Sequence, residues 1–296
     1  MTEIKGQKHW GWMVVLDLFL AGLGAGTFLF SFVLDRLGEC PELARIGTLI
    51  GPVVVLLGSV LLLLDLGEGG HVLRLWFHPA ALRTSWITRG AWLQTGFIIF
   101  GFAHALPRFA GFAWLPWDAS GGLGLAFGWA AAVLALTVPV YPGMVLGVIR
   151  SIPAWNNAAL PVLFLFAGLN TGIAVLQLVA LGVTVDVAGL HLLAIAGLVL
   201  SVLLLLTLAA YVEIVRHTGT TGRASARLLT SGVFVWGVAV AGLVLPIVLL
   251  AVSLASTGLA QVRVLGAVSA VLVLAGGLLL RHAVVTSGVR MTVRSD

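Results

Sequence analysis

The chain has 296 residues, of which 60% are hydrophobic and only 9% charged, with a formal net charge of +5 and a mean hydropathy of +1.13. A soluble domain of this length needs far more charge to cover its surface, so composition excludes one. The single cysteine, Cys40, excludes an intrachain disulfide and a Cys-rich metal or iron–sulfur site, and no metal centre is expected. The basic balance belongs to arginine-bearing loops around membrane helices and gives no reason to expect nucleic-acid binding.

Barrel strands alternate apolar and polar residues, whereas this sequence offers unbroken apolar runs. In lipid such runs satisfy their backbone only as helices. The polar start MTEIKGQKHW is followed by an apolar run with no small-residue cleavage site, so that run reads as a first spanning helix and not as a signal peptide. In chain order the segments fall at roughly 11–34, 46–66, 86–106, 121–141, 158–182, 188–212, 229–254 and 262–281. The expectation is an all-α integral membrane protein: one polytopic domain, 1–296, of about eight helices, divisible into halves 1–150 and 151–296.

An even number of crossings puts both termini on one face. Arg36, Arg45, Arg108 and Arg263 fall on the far face, leaving twelve of the sixteen Lys and Arg, Arg281 among them, on the terminal face. By the positive-inside rule the termini are cytoplasmic and the membrane is the inner (plasma) membrane. Residues 67–85, with Trp76 and Phe77 among His71, Arg74 and His78, read as an interfacial amphipathic segment. Trp114 and Trp117 suit the opposite interface.

Ionisable groups inside a membrane point to function, because an unpaired charge there costs several kcal/mol. Asp17 lies about seven residues into the first helix, roughly 10 Å deep at 1.5 Å per residue. Ala21, Gly24 and Ser31 share its face, and Gly22 and Gly26 form a small-xxx-small pair; both patterns suit helix contacts. Alternating helix directions bring Asp65, Arg89, Tyr141 and Arg150 to the same membrane face as Asp17. A Tyr, a carboxylate and an Arg there can bind a polar head group and relay protons. An interfacial Asp65–Arg89 ion pair and an aromatic-belt Tyr141 are the plainer alternative. Asn170 and Gln177 share one face of the fifth helix, as interhelical glue or as the lining of a path. Haem needs two facing axial histidines; only His104 and His191 lie near one boundary together, so no haem is expected. No phosphate loop, dinucleotide fingerprint or nucleophile triad occurs.

The first helix reads WGWMVVLDLFLAGLGAGTFLF, the second ends LLLLDLGEGGHVLRLWFHP, and the third begins SWITRGAWL. The fourth runs out as YPGMVLGVIRSIPAWNNAALPVLFLFAGLNTG. In order and spacing this resembles the NrfD-like (polysulfide reductase membrane subunit) family, most closely over residues 10–175. The resemblance implies a quinone-binding subunit, for menaquinone or ubiquinone, without haem. It also implies an iron–sulfur (4Fe–4S) electron-transfer partner and a molybdopterin catalytic subunit. Carried over by residue, Asp17 matches a polar position beside the quinone, where a close relative has His. Tyr141 matches a tyrosine proposed to contact a quinone carbonyl, and Asp65 and Arg89 match flanking positions. A proton-coupled transporter, with Asp17 as its carboxylate, and a purely structural anchor are the other two classes the residues allow.

Overall fold

The computed structural model describes residues 3–6, 11–65 and 82–292. Helix α1 (Trp12–Leu37) ends on Gly38, which takes the left-handed conformation at φ 75°. It is followed by α2 (Pro41–Asp65) and α3 (Trp86–Ala105), whose first turn Ser85 caps by accepting from the Thr88 amide. Helix α4 (Gly122–Thr137) breaks at Pro139 and resumes as the short α5 (Tyr141–Gly147), because proline brings no amide hydrogen and its ring clashes with the preceding turn. That break places Tyr141 in the first turn of α5.

The second group comprises α6 (Ala159–Val179), α7 (Val187–His217), α8 (Gly219–Leu229), α9 (Gly232–Leu254) and α10 (Leu259–Thr286). Asp186 caps α7 by accepting from the Gly189 amide. Residues Val235–Val244 of α9 are wound as a π-helix. At eleven residues α8 is too short to span; it lays Ala226 and Leu229 inward and Arg223 and Arg227 outward.

Seven helices are long and apolar enough to cross a membrane: α1, α2, the Gly122–Gly147 pair α4–α5, α6, α7, α9 and α10. With the less apolar α3, which falls short of that hydropathy, the described residues offer about eight. Strand β1 (Glu3–Gly6) pairs antiparallel with β2 (Val289–Thr292), so these two strands near the chain ends lie together. The observed fold is therefore the expected all-α multi-pass membrane bundle, with α3 as its least hydrophobic crossing. Of the segment 67–85 read as interfacial, residues 67–81 lie outside the described residues.

Helix α1 is the hub, packed on α2, α6, α10 and α4. Its small residues explain why. A Cβ on Gly26 would stand 2.5 Å from the Gly168 carbonyl oxygen, and one on Gly22 3.1 Å from the Gly168 Cα. The backbones of α1 and α6 thus touch, as close packing in lipid requires. Gly172 faces the Gly26–Thr27 backbone in the same seam. Gly172→Leu has no space to enter without parting these helices, and overpacking of this kind costs about 1–3 kcal/mol or more. A marked fall in the thermal midpoint in detergent is expected, against little change for Leu at Gly266, which meets nothing within 4 Å.

On the far face Arg108 clamps Asp35 through two bonds of 2.7 and 2.8 Å and also donates to His104 Nε2 at 3.1 Å. The other ring nitrogen, Nδ1, donates to the Gly124 carbonyl at 2.8 Å. Arg108 can only donate and a carbonyl can only accept, so the histidine tautomer is fixed and α1, α3 and α4 are pinned at one end.

Candidate functional site

Asp17 is buried in α1, and the fold brings Tyr141 to it: the phenol donates to Asp17 Oδ2 across 3.5 Å. The phenol in turn accepts from Gln94 Nε2 on α3 at 2.7 Å. The amide is oriented from its other end, where Ser59 of α2 donates to Gln94 Oε1 at 2.8 Å. Four helices thus contribute one series of groups, Ser59 to Gln94 to Tyr141 to Asp17. Because Gln94 donates to the phenol oxygen, the phenol's own proton is directed towards Asp17.

Two further features give the cluster its character. Asp17 Oδ1 is buried and has no hydrogen-bond partner, which is costly for a carboxylate oxygen in a low-dielectric interior. It lies over Gly58, where an added Cβ would come within 3.3 Å of it. The ring of Tyr141 is seated against Gly90, the one residue type that leaves it room. One to two turns on, a cavity of about 420 Å³ is bounded by Trp86, Gly143, Met144, Gly147, Arg150 and Asn157. That volume lies in the range of small-molecule sites.

The loop after α5 fixes the wall of this cavity. Trp155 is buried and its indole donates to the Val284 carbonyl of α10 at 2.9 Å. Asn156 donates to the Gly147 carbonyl, and Asn157 Oδ1 accepts from the Ala159 amide at the start of α6. Tyr211 of α7 donates to the Ala154 carbonyl. The Ile-Pro-x-Trp-Asn stretch is thus an anchor that ties the mouth of the cavity to the second half of the bundle.

The sequence of residues 2–293 matches the family described as polysulphide reductase, NrfD. The chain belongs to the NrfD family. Among curated relatives, protein NrfD of Escherichia coli K12 is 29% identical over 195 residues, 56% of this chain and 58% of that protein, so the match spans less than two thirds of the relative's length. A polysulfide reductase chain of Wolinella succinogenes is 28% identical over 272 residues, 81% of this chain and 82% of that protein.

Within this NrfD-family chain the expected residues separate into two groups. Asp17 and Tyr141 share a site. Arg89 lies on the same helix as Gln94, but its guanidinium donates to the Leu82 and Arg83 carbonyls and stacks 4.4 Å over Trp86. It shapes the approach to α3 and the cavity wall and does not touch Asp17 or Tyr141. Asp65 closes α2, and its side chain lies outside the described residues. The histidines considered for haem are otherwise engaged: His104 as described, and His191 Nε2 with the Ser253 and Ser256 carbonyls.

Arg281 requires a correction. The sequence reading counts it among the charges of the terminal face, on the ground that the last apolar run ends at it. Helix α10 instead continues to Thr286, and Arg281 is 1% exposed inside the bundle. Its guanidinium donates to the Leu18 carbonyl of α1 and the Gly277 carbonyl, both at 3.0 Å, and lies over the Phe19 ring. Sequence reasoning also passes over Gln94, Ser59 and Gly90. Gln94 carries the same signal that singles out Asn170 and Gln177, an amide within an apolar run.

The seating of Tyr141 gives a direct test. Gly90→Ala should push the ring off Gln94 and Asp17 and lower the thermal midpoint in detergent, since overpacking of this kind costs about 1–3 kcal/mol. Gly96→Ala on the same helix meets only the Leu134 Cδ1, at 3.2 Å, and should leave the midpoint near normal.

Proposed function

We propose that the protein is the quinone-binding membrane subunit of an oxidoreductase complex, passing electrons between the quinone pool and an iron–sulfur partner. The observation that carries this reading is the buried, half-unpaired Asp17 carboxylate beside the Tyr141 phenol, on a helix whose following residues Gly143 and Met144 line a cavity large enough for a head group. A quinol presents two hydroxyl donors, and Asp17 Oδ1 is a buried acceptor in want of one. The polysulfide reductase relative, itself one chain of a reductase, supports a subunit role. A 4Fe–4S subunit and a molybdopterin catalytic subunit are the partners that the family resemblance implies.

A bound quinol supplies two electrons and two protons. The protein's share of the chemistry is to hold the head group and to remove the protons. Tyr141, whose own proton is directed to Asp17, accepts a bond from a quinol hydroxyl on its remaining lone pair; Asp17 accepts a proton through Oδ1; and the Ser59–Gln94 bond keeps the amide from turning its oxygen to the phenol. Asp17, Tyr141 and Gln94 are all buried, so they are the polar groups at hand to take up the quinol's two protons in turn. With Arg281 interior, eleven basic residues remain on the terminal face against four on the far one, which supports cytoplasmic termini in the plasma membrane.

Affinity purification in mild detergent, with mass spectrometry of the co-purifying proteins and lipids, tests this reading. It predicts an iron–sulfur protein together with about one quinone per polypeptide, the stoichiometry of a single site. Recovery of the polypeptide alone, without quinone, contradicts it and favours a transporter.

A further inference from the structure

Among the described residues only two of the Asp, Glu, Lys and Arg side chains are fully interior, and they carry opposite charge. They are Asp17 on α1 and Arg281 on α10, each 1% exposed. No acidic side chain lies within 4 Å of Arg281 among the described residues, so the two are not a contact ion pair. What joins them is the backbone of α1. Arg281 Nε donates at 3.0 Å to the carbonyl of Leu18, the residue next to Asp17, and Nη1 donates to the Gly277 carbonyl. Gly22 leaves the guanidinium its place, since a Cβ there would stand 2.7 Å from Nη2. Chain dimensions then put the Asp17 carboxylate within roughly 13 Å of Arg281 Nε.

Other charges are remote from the carboxylate or turned away from it. The Asp35–Arg108 clamp stands eighteen residues further along α1, about 27 Å at 1.5 Å per residue. Helices α4 and α6 hold no ionisable residue within their spans. From α2, α3 and α5 the groups that reach the cluster are Ser59, Gln94 and Tyr141, while Arg89 is turned to the Leu82 and Arg83 carbonyls. On α10 the further titratable group near this end is His282, stacked 4.4 Å from Trp12 at the start of α1. Two carbonyls and the Phe19 ring, 5.3 Å from the guanidinium carbon, solvate the arginine in part. Its charge therefore acts on one interior anion, at a range where salt screens buried groups little.

We propose that Arg281 is the counter-charge of Asp17, a positioning residue that acts across the α1 backbone to keep the carboxylate ionised and ready to take a quinol proton. This role rests on the quinol reading of the Asp17 site. In the transfer a quinol O–H bond breaks and a bond from hydrogen to Asp17 Oδ1 forms; the carboxylate becomes a neutral acid and the fixed cation is left without its counter-charge. The proton is thus taken up readily and not held. A counter-charge also explains why an arginine is retained at an interior position where an apolar residue would pack at lower cost.

The test is the pH profile of quinol-dependent turnover by the assembled complex. Arg281→Gln should move the acid limb to higher pH by about one unit, a tenfold change in proton concentration, since a unit charge at this range in a partly dry interior is worth about that factor. Arg281→Lys loses the forked donor set and the Phe19 stacking but keeps the charge. It should hold the wild-type profile, whatever happens to its thermal midpoint. His282→Gln should hold the profile too. A profile that Arg281→Gln leaves in place, in a complex whose turnover still depends on Asp17, overturns the counter-charge and keeps the quinol site. A shift produced by His282→Gln in place of Arg281→Gln overturns it as well. A second measurement needs neither an arginine variant nor quinol. The infrared difference between wild type and Asp17→Asn at neutral pH should show the bands of an ionised carboxylate. The band of a protonated carboxyl in their place overturns the proposal.

Discussion

Asp17→Asn should lower quinol-dependent turnover of the assembled complex about a hundredfold or more, the range associated with loss of a positioned proton acceptor. Asparagine keeps the volume of the side chain and an oxygen for the Tyr141 hydroxyl, so the α1–α2 packing around Gly58 is undisturbed. It cannot take up a proton at the oxygen that is unpaired in the wild type. The expected pattern is a fall in kcat, with assembly, yield and thermal midpoint close to wild type. A purely structural anchor would be indifferent to this change, and turnover within about twofold of wild type would remove Asp17 from the chemistry, since general-base loss costs far more than that. Asp17→Glu, longer by one methylene against Gly58, should recover only part of the activity, because the carboxyl no longer meets its partners in the same place.

Tyr141→Phe is the second large effect, and it separates binding from proton transfer. Removing the hydroxyl takes away the proposed quinone contact and leaves Gln94 Nε2 a buried donor without a partner. An orphaned buried group costs about 1–3 kcal/mol, which corresponds to roughly tenfold to a hundredfold in affinity or to a visible loss of stability. The two are distinguished by adding Gln94→Leu to Tyr141→Phe. With both partners apolar, the thermal midpoint should return towards wild type while quinone affinity stays low. If affinity recovers together with stability, the phenol is structural and the quinone binds elsewhere.

Much of this bundle is legible in the amino-acid sequence. Asp17 stands out because a carboxylate seven residues inside an apolar run has no cheap explanation, and the small residues on its helix point to α1 as a packing hub. Counting crossings places Tyr141 on the same face, and its phenol does meet Asp17. Gln94 shows as an amide within an apolar run, but its role and that of Ser59 are not legible, because such a group reads equally well as glue between helices. Only the third dimension shows that both belong to one phenol's network. Gly90 is invisible for a different reason: a glycine signals close approach, but not what approaches it.

Arg281 is misplaced by sequence alone because its charge reads as the end of the helix. Apolarity marks where lipid ends only for residues that face lipid. Arg281 faces α1, and its stem and guanidinium are solvated by backbone carbonyls and the Phe19 ring, so α10 runs on past it. Arg89 teaches the complementary point. Its position in sequence suits a role in the pocket, yet its bonds go to the segment leading into α3.

The central claim is that the Asp17–Tyr141 cluster holds a quinone head group. Calorimetric titration of a short-chain quinol analogue into the purified protein in detergent tests it most directly. Wild type should bind about one analogue per polypeptide, Tyr141→Phe should bind it roughly tenfold or more weakly, and Asn170→Leu, in the second half of the bundle, should bind as wild type does. Equal affinity in wild type and Tyr141→Phe, or weakening by Asn170→Leu instead, would contradict the assignment of the site.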